Sequence, residues 1–214
     1  MKYDLILFDM DGTLVDSQVG IMKSIMYALE CFGIENVDRS RLRGLIGMDL
    51  RSACRSLGDF SEAQIEDMVA KYRERLTEKG LYEGKVYDGI ATLLDSLRQS
   101  GVRMAVATAK ATVFAERGLE YFGIAKYFDL IIGCELDGER SDKGEIIAHI
   151  LDELDPERTL SVAMVGDREY DILGAKAHGL DSFGCLWGYG SEAELTEAGA
   201  TFIVKSPQEI LDYV

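Results

Sequence analysis

Short apolar runs that end in polar or small residues recur along the chain and predict β-strands. From the second run onward, each is followed by a helical pattern of apolar residues. This alternation predicts an α/β fold of three layers, with a Rossmann-like parallel sheet as the core and helices on both of its faces. The runs are LILFD (5–9), RMAVAT (103–108), FDLIIG (128–133), LSVAMVGD (160–167), SFGCLW (182–187) and TFIV (201–204).

The stretch between the first two runs has almost no strand signal and predicts helices instead. Ser61 and Gln64 have the spacing of a capping box at the start of a long helix. Shorter helical pieces are expected around Leu42 and Ala53, and Gly33 is a suitable C-terminal stop for the first helix. The apolar residues at helical spacing in that first helix are Ile21, Ile25, Leu29 and Phe32.

These patterns divide the chain into two predicted domains. Residues 1–15 and 85–214 are expected to form the α/β core, and residues 16–84 an inserted, all-helical cap. A helix from Asp88 to Gly101 returns the chain to the sheet. Polar residues and glycines near Asp16 and Gly84 predict that the cap moves relative to the core.

Charge and cysteine content narrow the classes of partner and the compartment. The chain has 23 basic and 38 acidic residues among 214, and the net charge of -15 argues against a general binder of nucleic acid or of anionic membranes. Four cysteines without C-x-x-C spacing are expected to be reduced, buried thiols. Neither a signal sequence nor a membrane-spanning run is evident, so a cytoplasmic location is expected.

Candidate chemistry follows the predicted strands, because the carboxyl ends of parallel strands share one edge of a sheet. Asp9 and Asp11 alternate along an extended backbone and are expected on one side of it, where they repel unless a cation lies between them or one is protonated. Asp167 ends a later strand. These three carboxylates are hard oxygen ligands of the kind that Mg²⁺ prefers.

Three further residues extend this site toward phosphate chemistry. Thr108 and Lys110 follow the second strand, and Lys143 begins a helix whose predicted N-cap is Asp142, so that its ammonium and the helix terminus both face an anion. A metal, a lysine and a hydroxyl around a reactive carboxylate suit phosphoryl transfer.

Four stretches in this order resemble the haloacid dehalogenase superfamily of phosphotransferases, in its phosphoglycolate-phosphatase-like branch with a helical cap. They are DMDGT (9–13), VATAK (106–110), Lys143 and VGDREYD (165–171). The resemblance implies that Asp9 is the nucleophile, which becomes an aspartyl-phosphate, and that Asp11 is the general acid and base.

The resemblance also implies the phosphate and metal ligands. Thr108, the backbone amide of Ala109 and Lys143 would bind the phosphate oxygens. Mg²⁺ would be bound by Asp9, by the main-chain carbonyl of Asp11 and by Asp167, with Asp171 orienting this shell. Ala109 departs from the family, which often has Asn or Ser there. Two purely structural alternatives stay open: Asp171 caps the helix that follows, and the Thr108 hydroxyl forms hydrogen bonds with backbone groups.

Substrate contact is expected from Lys110, Arg43 or Arg51, each of which is alternatively a solvated surface charge. The expected substrate is a small phosphorylated metabolite, such as phosphoglycolate or a nucleoside monophosphate. A pyrophosphatase, a β-phosphoglucomutase-like sugar-phosphate mutase and a non-catalytic phosphate-binding protein remain alternatives, and the oligomeric state is open.

Overall fold

The computed structural model describes residues 2–35 and 37–214, apart from the side chains of Arg39 and Ser40. Six strands of this described part form one parallel sheet in the order β5-β4-β1-β6-β7-β8, and two short strands form a separate ribbon. The strands are β1 (Leu5–Phe8), β2 (Val15–Asp16), β3 (Lys85–Val86), β4 (Arg103–Ala111), β5 (Leu130–Cys134), β6 (Val162–Gly166), β7 (Asp181–Cys185) and β8 (Phe202–Val204).

Strand β1 lies at the centre of the sheet, and its register fixes the place of the site. Phe8 is opposite Val106 of β4 on one side and Val165 of β6 on the other. All four residues of β1 are fully buried, as expected for a strand covered on both faces. The tips of β1, β4 and β6 therefore end side by side.

Helices cover both faces of the sheet, which confirms the predicted three-layer α/β class. Side chains alternate along β1, so Ile6 and Phe8 pack with α5 and α6, whereas Leu5 and Leu7 pack with α7 and α8. The helices are α1 (Gln18–Cys31), α2 (Arg39–Gly44), α3 (Leu50–Leu57), α4 (Glu62–Glu78), α5 (Ile90–Gln99), α6 (Thr112–Tyr121), α7 (Lys143–Leu154), α8 (Glu169–Ala177) and α9 (Glu192–Ala198).

Helices α1 to α4 lie between β2 and β3 and share their own apolar core. The predicted capping box of α4 is present, since the Gln64 amide donates to Ser61 Oγ at 3.3 Å and the Ser61 amide donates to Gln64 Oε1 at 2.9 Å. Gly20 of α1 lies so close to the turn after α4 that a Cβ there would be 2.0 Å from the carbonyl oxygen of Gly80. This contact requires glycine.

The β2–β3 ribbon was not predicted, because two-residue strands have too little periodicity to detect. It pairs Val15 with Val86 and Asp16 with Lys85 in antiparallel register. The ribbon pairs the segment that leaves the sheet for the inserted helices with the segment that returns from them, beside the predicted boundaries of the cap.

The cysteines follow the prediction in part. All four thiols are free, and Cys54 and Cys185 are buried. Cys31 is exposed and Cys134 is half-buried, so the expectation of four buried thiols was wrong for these two. Cys31 is the last residue of α1, on the solvent side of the apolar stripe that Ile25 and Leu29 form. Within the described residues, no helix combines the length and apolar character needed to cross a bilayer.

Candidate active site

Three carboxylates meet where the tips of β1 and β6 adjoin. Asp9 follows β1, Asp167 follows β6, and Asp171 lies in the first turn of α8. One oxygen of each lies within 4.8 Å of the others, and all three side chains are buried. The predicted meeting of these strand tips is thus observed, with Asp171 nearer to the group than the sequence indicated.

Lys143 holds this cluster together from the first turn of α7. Its Nζ lies 2.8 Å from Asp9 Oδ1 and 2.8 Å from Asp171 Oδ1, and it donates to the carbonyl oxygen of Ala107 at 2.8 Å. The predicted N-cap is present, because Asp142 Oδ1 accepts the next helical amides. The cap and the buried stem of Lys143 place the ammonium between two carboxylates.

Asp11 has a lysine of its own. Lys110 Nζ lies 2.6 Å from Asp11 Oδ2, and only 6% of the Lys110 side chain is exposed, so Lys110 is not a solvated charge. Within the described chain, Asp11 Oδ1 is buried without a hydrogen-bond partner. The buried Thr108 Oγ accepts the Lys110 amide at 3.3 Å, which leaves its hydroxyl proton available to another acceptor.

Burial and mutual repulsion shift the acidity of the cluster. Burial, followed by the charges of Asp171 and Asp11, raises the pKa of Asp9 to about 6 against the opposing effect of Lys143. Burial also raises the pKa of Asp167 well above its ordinary value, with Asp171 and Asp9 adding to the shift. Burial lowers the pKa of Lys143, but Asp171 and Asp9 outweigh this effect and hold it above the ordinary value.

The charges of the site do not balance when all of its groups are ionised. Four carboxylates against two ammoniums leave two negative charges in a buried space, and one divalent cation would offset them. The carboxylate oxygens are also the hard ligands that such a cation takes. The arrangement therefore fits a divalent metal. The groups counted are Asp9, Asp11, Asp167, Asp171, Lys110 and Lys143.

Asp171 both caps α8 and lies beside Lys143, the two roles that the sequence left open. Its Oδ2 accepts the Arg168 amide at 3.1 Å, which caps α8. Its Oδ1 pairs with Lys143. Both contacts are made by the same carboxylate, so the capping alternative and a place beside the metal-binding group are compatible.

Thr13 and the backbone amide of Tyr189, both beside Asp167, were missed by the sequence reasoning. Thr13 Oγ donates to Asp167 Oδ1 at 3.1 Å, and the Tyr189 amide donates to Oδ2 at 2.7 Å. Gly12 has a φ of 97°, and a Cβ on it would lie 2.4 Å from Asp167 Oδ2. A Cβ on Gly188 would lie 2.3 Å from Asp167 Cβ. The available signals were DMDGT for Thr13 and the paired glycines of WGYG for the second loop.

A cavity of about 80 Å³ lies between the strand tips and the inserted helices. Its polar wall contains Asp9, Asp11, Thr108, Ala109 and Lys110, and its other wall is largely apolar. The structure thus brings these five predicted residues to one space, whereas Lys143 lines an adjoining cavity that shares Ala109 with it. The apolar residues include Ile21, Ile25, Leu45, Ile46, Leu50, Leu76 and Phe114.

The two arginines predicted to contact substrate lie elsewhere. Arg43 is exposed and is not part of the cavity wall. Arg51 is also outside that wall and forms a two-pronged pair with Glu66, with Nε–Oε1 at 2.6 Å and Nη2–Oε2 at 2.9 Å. Arg73 of α4, which the sequence reasoning did not single out, lines the cavity instead.

This fold and this site define a class of hydrolase. Residues 6–185 match the haloacid dehalogenase-like hydrolase family, and the chain belongs to it. It is an enzyme, a phosphatase of this family, as the sequence predicts.

Particular relatives cover nearly the whole chain. A 5'-nucleotidase of Pseudomonas aeruginosa is 43% identical over 197 residues, which are 91% of this chain and 88% of that protein. The tyrosine-protein kinase PtkA of Mycobacterium tuberculosis is 39% identical over 202 residues, 94% of this chain and 67% of that protein. The crystal structure of a predicted phosphatase from Clostridium acetobutylicum superposes with a TM-score of 0.92 at 41% identity and covers 98% of this chain and 99% of that one.

Proposed function

We propose that this enzyme is a magnesium-dependent phosphatase that hydrolyses a small phosphorylated metabolite through an aspartyl-phosphate on Asp9. The observation that carries the proposal is the buried group of Asp9, Asp167 and Asp171 with Lys143 at its centre. Such a site offers a carboxylate to attack phosphorus and positive charge to attract the phosphoryl oxygens.

Magnesium would be held by Asp9, by Asp167 and by the main-chain carbonyl of Asp11. Asp171 would act as a positioning residue through its contact with Lys143. Bound magnesium would neutralise negative charge on the carboxylates and on the transferring phosphoryl group. The two uncompensated negative charges of the site favour a dication over a monovalent ion.

The two aspartates would take different roles because each has one oxygen tied by its own lysine. Lys143 contacts Asp9 Oδ1, which leaves Oδ2 to attack phosphorus while the bond from phosphorus to the leaving oxygen breaks. Asp11 Oδ1 would give its proton to that leaving oxygen. It would then take a proton from the water that attacks phosphorus and releases Asp9. Thr108, the Ala109 amide and Lys143 would bind the other phosphate oxygens.

The test is a panel of phosphoesters assayed for phosphate release with magnesium or with EDTA. The panel includes 2-phosphoglycolate, nucleoside 5'-monophosphates, pyrophosphate and sugar phosphates. Asp9→Asn should lower turnover by at least ~10³-fold in a folded protein, and mass spectrometry should find the phosphoryl group on Asp9 alone. Full activity of Asp9→Asn would refute the covalent route, and activity unchanged by EDTA would refute the metal requirement.

The same assay separates the rival activities. A mutase would convert a sugar phosphate without releasing phosphate and would need a bisphosphate activator. The relative named as a tyrosine-protein kinase adds transfer from ATP to tyrosine as a second candidate. Transfer of the labelled γ-phosphate of ATP to a tyrosine-containing peptide would show kinase activity.

Residues 16–84 would act as a cap that opens for substrate and closes to exclude water during transfer. The support is the β2–β3 ribbon at the junction, together with contacts that bridge the two parts. Arg168, next to Asp167, donates to the carbonyl oxygens of Ile46 and Gly44. Hydrogen exchange with and without a phosphate analogue tests this, and equal protection of residues 44–50 in both states would refute it.

A further inference from the structure

We infer that Tyr189 is a positioning residue that couples Asp167 to the junction of residues 15–17 and 84–86, where the chain leaves the sheet for the inserted helices and returns. Binding of a divalent cation at Asp167 would then fix the start of α1, and with it the orientation of residues 16–84. The inference rests on the proposed function, because it takes the cation and the movement of these helices from there.

The loop after β7 is packed tightly around Asp167. The Tyr189 amide donates to Asp167 Oδ2 at 2.7 Å. A Cβ on Gly188 would lie 2.3 Å from Asp167 Cβ, and one on Gly190 would lie 2.0 Å from the Asp167 carbonyl oxygen. Because the backbone is this close to Asp167 on both sides of Tyr189, a shift of Asp167 must shift the loop with it.

The side chain of Tyr189 extends from this loop to the junction. Its hydroxyl oxygen accepts the Ser17 amide at 2.9 Å, and the hydroxyl donates to Asp16 Oδ1 at 3.3 Å. Asp16 is the last residue of β2, and Ser17 is the N-cap of α1. The Tyr189 ring also packs against the apolar core of helices α1 to α4. One residue thus contacts Asp167 through its backbone and the start of α1 through its side chain.

The outgoing and returning segments touch at the point that Tyr189 reaches. Asp16 pairs with Lys85 in the β2–β3 ribbon. A Cβ on Gly84 would lie 2.8 Å from the Asp16 carbonyl oxygen and 3.3 Å from Ser17 Cα. A contact that holds Asp16 and Ser17 therefore also restricts the returning segment, and both connections of residues 16–84 are fixed together.

Repulsion among the carboxylates supplies the cause of the coupling. Asp9 and Asp171 each have an oxygen within 4.8 Å of an oxygen of Asp167, and like charges at this distance destabilise the arrangement. With a dication bound, Asp167 would be attracted rather than repelled, and Tyr189 would be held with it. Ordering the junction would then cost less entropy. Such coupling is reciprocal, so the junction contact should in turn strengthen cation binding.

The test follows hydrogen exchange of the Ser17 amide by NMR, with and without saturating magnesium and with no substrate present. Tyr189→Phe keeps the ring and the amide that contacts Asp167, and it removes only the hydroxyl. In the natural chain, magnesium should slow this exchange at least ~5-fold, the size expected for one net hydrogen bond. In Tyr189→Phe the effect should fall below ~2-fold, and the Kd for magnesium in calorimetry should rise about 5-fold.

Tyr82→Phe is the matched control. Tyr82 lies in the turn after α4, and its hydroxyl accepts Arg117 Nη2 of α6 at 3.0 Å, so it also joins the inserted helices to the rest of the fold. This variant should keep the effect of magnesium on the Ser17 amide. A purely structural role for Tyr189 would speed exchange equally with and without magnesium and would leave the Kd unchanged.

Three results would overturn the inference: magnesium does not slow Ser17 exchange in the natural chain, the effect survives in Tyr189→Phe, or it is lost in Tyr82→Phe as well. If Tyr189→Phe does not fold, Asp16→Ala decides, because it removes one partner of the hydroxyl and should reduce the effect at least ~2-fold; an unchanged effect would overturn the inference. Phosphate release is measured in parallel. Its absence alongside a Tyr189-dependent response to magnesium would refute the proposed phosphatase activity while leaving the coupling standing.

Discussion

The buried carboxylate of Asp9 should make the metal-free protein less stable as the pH rises. Burial is the main cause that raises its pKa from 3.8 to about 6. An acid that holds its proton more tightly in the folded state stabilises that state below its unfolded pKa and loses this contribution as the pH passes the folded value. The difference between 3.8 and about 6 corresponds to roughly 3 kcal/mol.

Thermal unfolding in EDTA measures this contribution directly. About half of the roughly 3 kcal/mol is lost between about pH 5 and about pH 7.5, because the other half is already lost below about pH 5, where Asp9 is ionised in the unfolded chain but still protonated in the folded one. For a chain of 214 residues, each kcal/mol shifts the Tm by about 2–4 °C. The natural protein should therefore lose about 3–6 °C more than Asp9→Asn over this range, since asparagine does not titrate.

Magnesium should reverse the trend, because the cation binds the ionised carboxylates and competes with protons for them. The Tm gained on adding saturating magnesium should then be larger at about pH 7.5 than at about pH 5. Equal pH dependence of the Tm in the natural protein and Asp9→Asn, both in EDTA, would refute the reasoning. It would mean that Asp9 is no harder to ionise in the fold than in the unfolded chain.

Three further substitutions test the same site. Lys143→Met leaves two buried carboxylates without their ammonium, so denaturant unfolding in EDTA should show a loss of about 3–5 kcal/mol; a loss below about 1 kcal/mol would contradict the central place of this lysine. Asp167→Ala should raise the magnesium concentration for half-maximal activity by at least ~10-fold, and an unchanged requirement would remove Asp167 from the metal site. Gly188→Ala places a Cβ 2.3 Å from Asp167 Cβ and should weaken magnesium binding in calorimetry, whereas Gly44→Ala, which meets no atom within 4 Å, should not.

The core of the site could be predicted because its position follows from topology. Apolar runs end at Asp9 and at Asp167, and parallel strands place those ends at one edge of the sheet. The register then brings β1 beside β6. The position of Lys143 could be predicted for a local reason, since Asp142 is a good N-cap and the next residue must lie in the first turn of α7.

The substrate-facing side could not be predicted in the same way. Which face of α4 meets the cavity depends on how α1 to α4 pack against one another. The sequence around Arg43, Arg51 and Arg73 contains no local signal that shows which of them faces the cavity. Arg51 points to Glu66 on a neighbouring helix, a contact between residues fifteen positions apart. The role of Lys110 was equally hidden, because its pairing with Asp11 joins two strand ends that are distant in sequence.

The pair of aspartates at the tip of β1 shows how similar side chains two residues apart acquire different environments. Both carboxylates line the cavity, as alternation along a strand predicts, but β1 ends at Phe8 and the chain turns at Gly12, so their other neighbours differ. Asp9 therefore joins the carboxylates beside Lys143, while Asp11 pairs with Lys110. A single cation between the two aspartates would leave them equivalent. Two lysines from separate elements make them distinct, and this difference is what the roles proposed for them, nucleophile and proton donor, require.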